Sequence, residues 1–396
     1  MKILLIVDDY LPESTKIAPK MMHELALEFV LQSHEVLVVT PDSYQNYTKS
    51  NQNYSQLDGI NVYRFPSGRL KNISKLLRLI NEFLLPYKAW YHGKNIFKQN
   101  KFDLIIYYSP SIFWGWLVSK LKKLWNAKTY LILRDIFPQW AIDNGLLRKN
   151  SPIIKFFLYI ENLNYRPADR IGLMSPGNLR WFEKYYKGSA KLEVLFNWTV
   201  ESPSIITDKP FRKKLGIQDK IVFFYGGNIG HAQDMSQITR LATNLQNHSE
   251  AFIVLMGSGD EVGLVKDTIL QNKLTNIILL DPVPQEEFKI IMAEFDIGLF
   301  CLNRNHTTHN FPGKILGYLT QGMPILGTVN PGNDLKEIIE QAGNGFVSQS
   351  GDDNEFYKNT LSLLESNTRK EMGKKSSLLL KEKFSIQKIT KQILIF

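Results

Sequence analysis

The sequence predicts an α/β protein built as two doubly wound domains, and three observations lead there. At 396 residues the chain exceeds what one hydrophobic core comfortably organises. Short, almost wholly apolar runs alternate with segments of helical period, the pattern of parallel sheets covered on both faces. That alternation stops at the polar, aperiodic stretch ESPSIITDK, residues 201 to 209, and then starts again.

In order, the first strand is KILLIV within MKILLIVDDY. This opening reads as a buried first strand and not as a signal peptide, because its apolar run is short, meets Asp8-Asp9 and has no small-residue cleavage site. The helical pattern MMHELALEFVLQ follows, then strand candidates EVLVVT, INVYRF, DLIIYYS, TYLILR, RIGLMS and KLEVLF. After the linker come IVFFYGG, AFIVLMGSG, NIILLD, DIGLFCL and PILGTV, with helical segments between them. The last helical stretch, from about Asn354 to Phe396, is long enough to cross back over the first domain. The expected divisions are 1–200, 201–375 and a returning helix at 376–396. Two such domains facing each other create a cleft at the carboxyl ends of their strands, where open α/β sheets bind ligands.

Composition narrows the function. Hydrophobic residues make up 44% and aromatics 12%, which is globular and not disordered. A single cysteine, Cys301, rules out an intrachain disulfide framework and a cysteine-rich zinc site. No apolar run reaches membrane-spanning length, so the expectation is a cytoplasmic protein, soluble or peripheral at the inner face of the plasma membrane. A net charge of +10 calls for nucleic acid, anionic membrane or a phosphorylated ligand. Nucleic-acid motifs are missing, which leaves the other two.

No Asp or Glu occurs between Ile297 and Asn333, and the stretch HNFPGKILGYLTQGMPIL carries one charge, Lys314. Lys314 follows Pro312-Gly313 at a helix start, a place that favours an anion. FFYGGNIGHAQDM runs strand, glycine loop, helix, and Gly226, Gly227 and Gly230 would let a phosphate approach the backbone. The same glycines also suit a plain tight turn. MGSGDE is a second such turn, and three of them on one rim favour an anion site. His306 and His309 have no acid or cysteine near them in sequence, so no metal and no other cofactor is expected. Asp8-Asp9 ends a strand and reads either as a cap or as a site pair. Asp135 in LRDIFPQW also ends a strand, on the rim of the first domain. The segment 70–101 has Ile73, Leu76, Leu77, Ile80, Phe83 and Leu84 at helical spacing with Lys71, Lys75 and Arg78 between them, then a break at Pro86 before Trp90 and Tyr91. It is either a core-facing helix or a basic amphipathic surface resting on anionic lipid.

SHEVLVVTP, ENLNYRPADRIGLMS, LFNW, FYGGNIG, MGSGDE, LDPVPQEEFKIIMAEFDIGLF and GMPILGTVNPGND, in that order, resemble glycosyltransferase family 4. RDIFPQWAIDNGLL and HNFPGKILGYLTQGMPILGTVNPGNDL resemble its bacterial branch assembling O-antigen or capsule repeats, most of all the L-fucosamine (N-acetyl-L-fucosamine) transferases. The resemblance implies a GT-B fold, two facing Rossmann-like domains, with a UDP-sugar on the second and an undecaprenyl-diphosphate-linked acceptor on the first. Retention of configuration is the family expectation. It implies donor contacts at Gly227, Asn228, Gln233, Gly257, Ser258, Pro284, His309, Asn310, Gly313, Lys314, Ile315, Asn333 and Asp334. Acceptor-side positions are Thr15, Lys16 and Ser109, the catalytic set is Asp135, Arg134 and Lys314, and the membrane set is Lys71, Lys75, Arg78 and Trp90. The chain departs from the family where two glutamates are usual and His309 and Gly317 stand instead. Asn228 and Gln233 replace the arginine and lysine that grip the diphosphate, and Lys16 and Ile17 replace a Gly-Gly pair. Lys314 is the nearest cation to take over. The other readings are a nonhydrolysing UDP-sugar epimerase and a non-catalytic nucleotide-sugar-binding subunit.

Overall fold

The computed structural model describes all residues except 13, 15–16, 44–52, 71–72, 140–141, 143–150, 202–207, 306–310 and 396. The chain divides into two compact units, Met1–Phe196 with Ile386–Phe396, and Asn197–Ser385.

The first unit holds β1 (Lys2–Ile6), β2 (Glu35–Ser43), β3 (Tyr54–Leu57), β4 (Ile60–Ser67), β5 (Leu104–Ser109), β6 (Lys128–Leu133), β7 (Arg170–Leu173) and β8 (Lys191–Val194). Their order across the sheet is β3-β4-β2-β1-β5-β6-β7-β8. All neighbours run parallel except β3 and β4. Ile3 to Ile6 are buried on both faces, as are Leu104 to Tyr107, which is why these strands carry no polar alternation. Strand order reverses between β1 and β5, so the crevice beyond their carboxyl ends is the unit's switch point.

The edge strand β3 is missing from the strand candidates, although its signal is present. Leu57 pairs with Ile60 across Asp58-Gly59, both at positive φ (50° and 81°), the two-residue Asp-Gly hairpin turn. Pro86 does not break a helix. One helix runs Lys75–Gln99 with Pro86 inside it, started by Ser74, whose hydroxyl accepts from the Leu77 amide. An interior proline costs about 3 kcal/mol. Here Leu85, Pro86, Ala89 and Phe97 are all buried on one side of the helix, and that packing outweighs the lost bond.

The second unit holds β9 (Ile221–Gly226), β10 (Ala251–Met256), β11 (Ile277–Leu280), β12 (Ile297–Cys301), β13 (Ile325–Val329) and β14 (Gly345–Gln349). The order is β11-β10-β9-β12-β13-β14, all parallel, with the reversal between β9 and β12. The edge strand β14 is likewise absent from the strand candidates. From Asp353 on, the chain is not one helix but Asp353–Ser362, Ser366–Leu379, a π-helical turn Leu380–Phe384 and Ile386–Leu394. The last of these belongs to the first unit, where Gln392 donates to the Val194 carbonyl and Gln32 donates to Thr390.

Candidate functional site

In the second unit the site grows from the end of β9. The short helix Lys314–Thr320 is fixed there by Tyr318. Its buried hydroxyl accepts from the Gly226 amide (3.2 Å) and donates to the Leu299 carbonyl (3.0 Å). Gly298 lets the Tyr318 ring lie against β12, since a Cβ there would stand 2.3 Å from it.

The two glycine turns pack backbone on backbone. A Cβ on Gly257 would stand 1.8 Å from the Gly227 carbonyl oxygen, and one on Gly259 would stand 2.1 Å from that of Ile229. The Ile229 amide donates to the Ser258 carbonyl at 2.9 Å. Gly257 and Gly259 therefore serve the contact between turns. Gly227 differs: at φ 116° it has only Lys314 near its missing side chain, Cε at 3.7 Å and Nζ at 3.9 Å. Gly313 has nothing within 4 Å.

The Lys314 residue is half-buried, but its Nζ is shut off from solvent and lies 3.3 Å from the centre of the Tyr225 ring with no hydrogen-bond partner among the described residues. Burial lowers its pKa to about 7, opposed only by Cys301. An ammonium held this way lacks the acceptors a buried cation needs. Asn228 and Gln233, on the same turn, are bonded to each other (Nδ2 to Oε1, 2.7 Å).

The structure thus brings together Gly227, Asn228, Gln233, Gly257, Ser258, Gly313 and Lys314 through the two turns and the helix start. Ile315 is buried in the core. Asn333 bonds within its own turn, to Asn330 and the Leu335 amide, and Asp334 stands buried at the start of the Leu335–Ala342 helix. Pro284 is exposed at the start of the Gln285–Ala293 helix. His309, Asn310, Thr15, Lys16 and Lys71 lie outside the described residues.

In the first unit, Ser109 at the end of β5 donates to the backbone carbonyl of Asp135 at 3.3 Å. The Asp135 residue is exposed, yet its carboxyl is crowded enough that burial raises its pKa, with Arg134 pulling it down. Arg134 itself is buried and donates to the carbonyls of Leu133, Gly172 and Phe196, so it ties strand ends together beneath Asp135. Sequence reasoning undervalues Asp8. It follows β1 beside the switch point, takes the Trp114 indole N–H at 2.7 Å, and has its pKa raised to about 7 by burial. Its place after a strand next to the reversal is the available signal. Of the membrane set, Lys75 and Arg78 are exposed, Arg78 bonding Glu82 at 2.7 Å. Trp90 is half-buried, stacked near Phe97 with Lys120 over its ring.

Comparison with known proteins adds to this geometry. Residues 207–378 match the family described as Glycosyl transferases group 1. WbjE of Pseudomonas aeruginosa, named as a glycosyltransferase, is 24% identical over 55% of this chain and 55% of its own length. The chain thus spans about half of that relative. WcaI of Escherichia coli K12, named as a colanic acid biosynthesis glycosyl transferase, is 24% identical over 86% of each chain. Among solved structures, Anabaena Alr3699/HepE in complex with UDP superposes with a TM-score of 0.69 at 16% identity, covering 99% of this chain and 98% of that one. The fold is GT-B, and the second unit contains the segment that matches the Glycosyl transferases group 1 family.

Proposed function

We propose that this glycosyltransferase moves a deoxyamino sugar, N-acetyl-L-fucosamine in the first instance, from a UDP donor to a lipid-diphosphate-linked saccharide of an O-antigen or capsule. The observation that carries the donor half is Lys314: an amine shut off from solvent, without an acceptor among the described residues, beside the open backbone of Gly227. A diphosphate would supply the missing acceptors, while backbone amides of the glycine turn add donors. The UDP complex of the fold relative and the group 1 domain support the same reading.

In the transfer, the acceptor oxygen forms a bond to the sugar's anomeric carbon, the bond from that carbon to the diphosphate oxygen breaks, and UDP leaves with the electron pair. Lys314 stabilises the charge that develops on UDP, work that a preorganised cation in a dry site does well. The acceptor proton passes to Asp135, whose backbone carbonyl accepts from the Ser109 hydroxyl. Lys71, Lys75, Arg78 and Trp90 belong to a segment that brings the chain to the anionic membrane carrying the acceptor. No described helix is long and apolar enough to cross a membrane.

The test is incubation with a panel of UDP-sugars and a lipid-diphosphate acceptor. Transfer from one donor supports the reading. Epimerisation of the UDP-sugar, or binding without turnover, overturns it.

A further inference from the structure

The helix Lys75–Gln99 leaves Leu76 (69%), Ile80 (46%), Tyr87 (40%) and Tyr91 (68%) exposed, and with Phe83 these fall on one stripe at spacings of three and four. Two other helices of the same unit continue it. Gly115–Trp125 exposes Trp116 and Leu124, and Pro152–Tyr165 exposes Ile153, Phe156 and Tyr159. Ring contacts make the surface continuous: Phe83 lies 6.2 Å from Phe156 and 5.8 Å from Tyr87, which lies 4.6 Å from Trp116.

Charge decides the occupant. In chain order the three helices carry five, three and one lysines or arginines, against two acids in all, Glu82 and Glu161. Glu82 is bonded to Arg78, and Glu161 is buried between the hydroxyls of Tyr165 and Tyr185. Lys120 sits over the Trp116 ring at 5.3 Å, a cation at the edge of the aromatic surface. Pairing with a second copy would set like charges against each other. Tyrosine and tryptophan with one apolar and one wet end suit the headgroup layer of a bilayer.

We propose that this three-helix face docks on an anionic bilayer, seating Ile80, Tyr87, Trp116, Phe156 and Tyr159 among the lipid headgroups with the lysines around them. It rests on the lipid-linked acceptor of the proposed function and extends the membrane contact to two helices beyond the Lys75–Gln99 segment. Trp90 stands apart, since it is half-buried under Lys120.

The test is co-sedimentation with vesicles of phosphatidylcholine alone or mixed with phosphatidylglycerol, for wild type and for a Tyr87→Ser/Phe156→Ser/Tyr159→Ser variant. Circular dichroism checks that the variant is folded. Wild type should bind the anionic vesicles, and the variant should bind them on the order of tenfold more weakly. Transfer to a water-soluble acceptor analogue should be the same for both. Brominated phosphatidylglycerol should quench wild type more than Trp116→Phe. Equal binding to both vesicle types, an unaffected triple variant, or a wild-type dimer that the variant dissolves would each overturn the surface. A chain that binds anionic vesicles through these residues but transfers no sugar to any acceptor would overturn the proposed reaction instead.

Discussion

The two units share a parallel doubly wound sheet, yet at the rims beyond their switch points burial acts on groups of opposite charge. Beyond β9 and β12 stand Gly227, Gly313 and Lys314, with no acid between Ile297 and Asn333. Beyond β1, β5 and β6 stand Asp8, Ser109 and Asp135, with burial raising both carboxyls. One rim depresses a lysine and the other raises carboxyls by the same cause, removal from water. The same architecture therefore lets burial act in opposite directions on ionisation, according to the residue placed at the strand end.

The largest expected effect comes from the acidic rim. Asp135→Asn should lower transfer by about 10²- to 10⁴-fold, the range for a general base, while UDP affinity is unchanged in calorimetry. A fall in Tm with normal specific activity would mean a structural carboxylate instead. The pH profile sharpens this further. A base must be deprotonated, so activity rises with pH through its pKa. An acid limb near pH 7 that Asp8→Asn abolishes would move the role to Asp8, whose pKa is about 7.

On the opposite rim, Lys314→Ala should lower turnover roughly a hundredfold, the cost of one oxyanion-type donor, and weaken UDP binding as well. Normal kcat and UDP affinity would reduce Lys314 to a helix-start residue and pass the diphosphate to Asn228 and Gln233.

The glycines of that rim separate into two kinds. Gly257→Ala drives a Cβ into the Gly227 carbonyl and should cost about 1–3 kcal/mol in denaturant unfolding, as overpacking does. Gly313→Ala meets nothing, so its stability should stay within about 0.5 kcal/mol of wild type. If the open space at Gly313 admits the diphosphate, this variant binds UDP more weakly; unchanged binding removes Gly313 from the site.

Much of the fold is legible in the sequence, for physical reasons. Strands buried on both faces announce themselves as apolar runs, and so do glycine turns at their ends. The edge strand Tyr54–Leu57 escapes because YSQL pairs on one side only and carries no apolar run. Pro86 misleads because packing outweighs intrinsic propensity there. Lys314 can be named from its surroundings in sequence. That it lies on the Tyr225 ring without an acceptor among the described residues depends on how β9 and the Lys314–Thr320 helix meet through Tyr318, which no local pattern encodes. Asp8 reads as a cap or a site residue alike in the sequence, and only the strand order places it at the reversal.

The smallest effect tests the basic rim most directly. With its pKa lowered to about 7, Lys314 is mostly neutral at pH 8 in the free protein. A bound diphosphate favours the charged form and raises that pKa, so UDP binding at pH 8 should take up close to one proton. The sign follows from linkage: the bound state holds more protons, so UDP affinity falls as pH rises above about 7, by less than tenfold per pH unit, until the raised pKa of the complex is passed. Calorimetry in buffers of different ionisation enthalpy reads the proton uptake, and Lys314→Arg, charged in both states, should abolish it. UDP binding with no proton uptake at pH 8 in the wild type would show that the diphosphate does not meet Lys314, and the contrast between the two rims would then rest on the carboxylates alone.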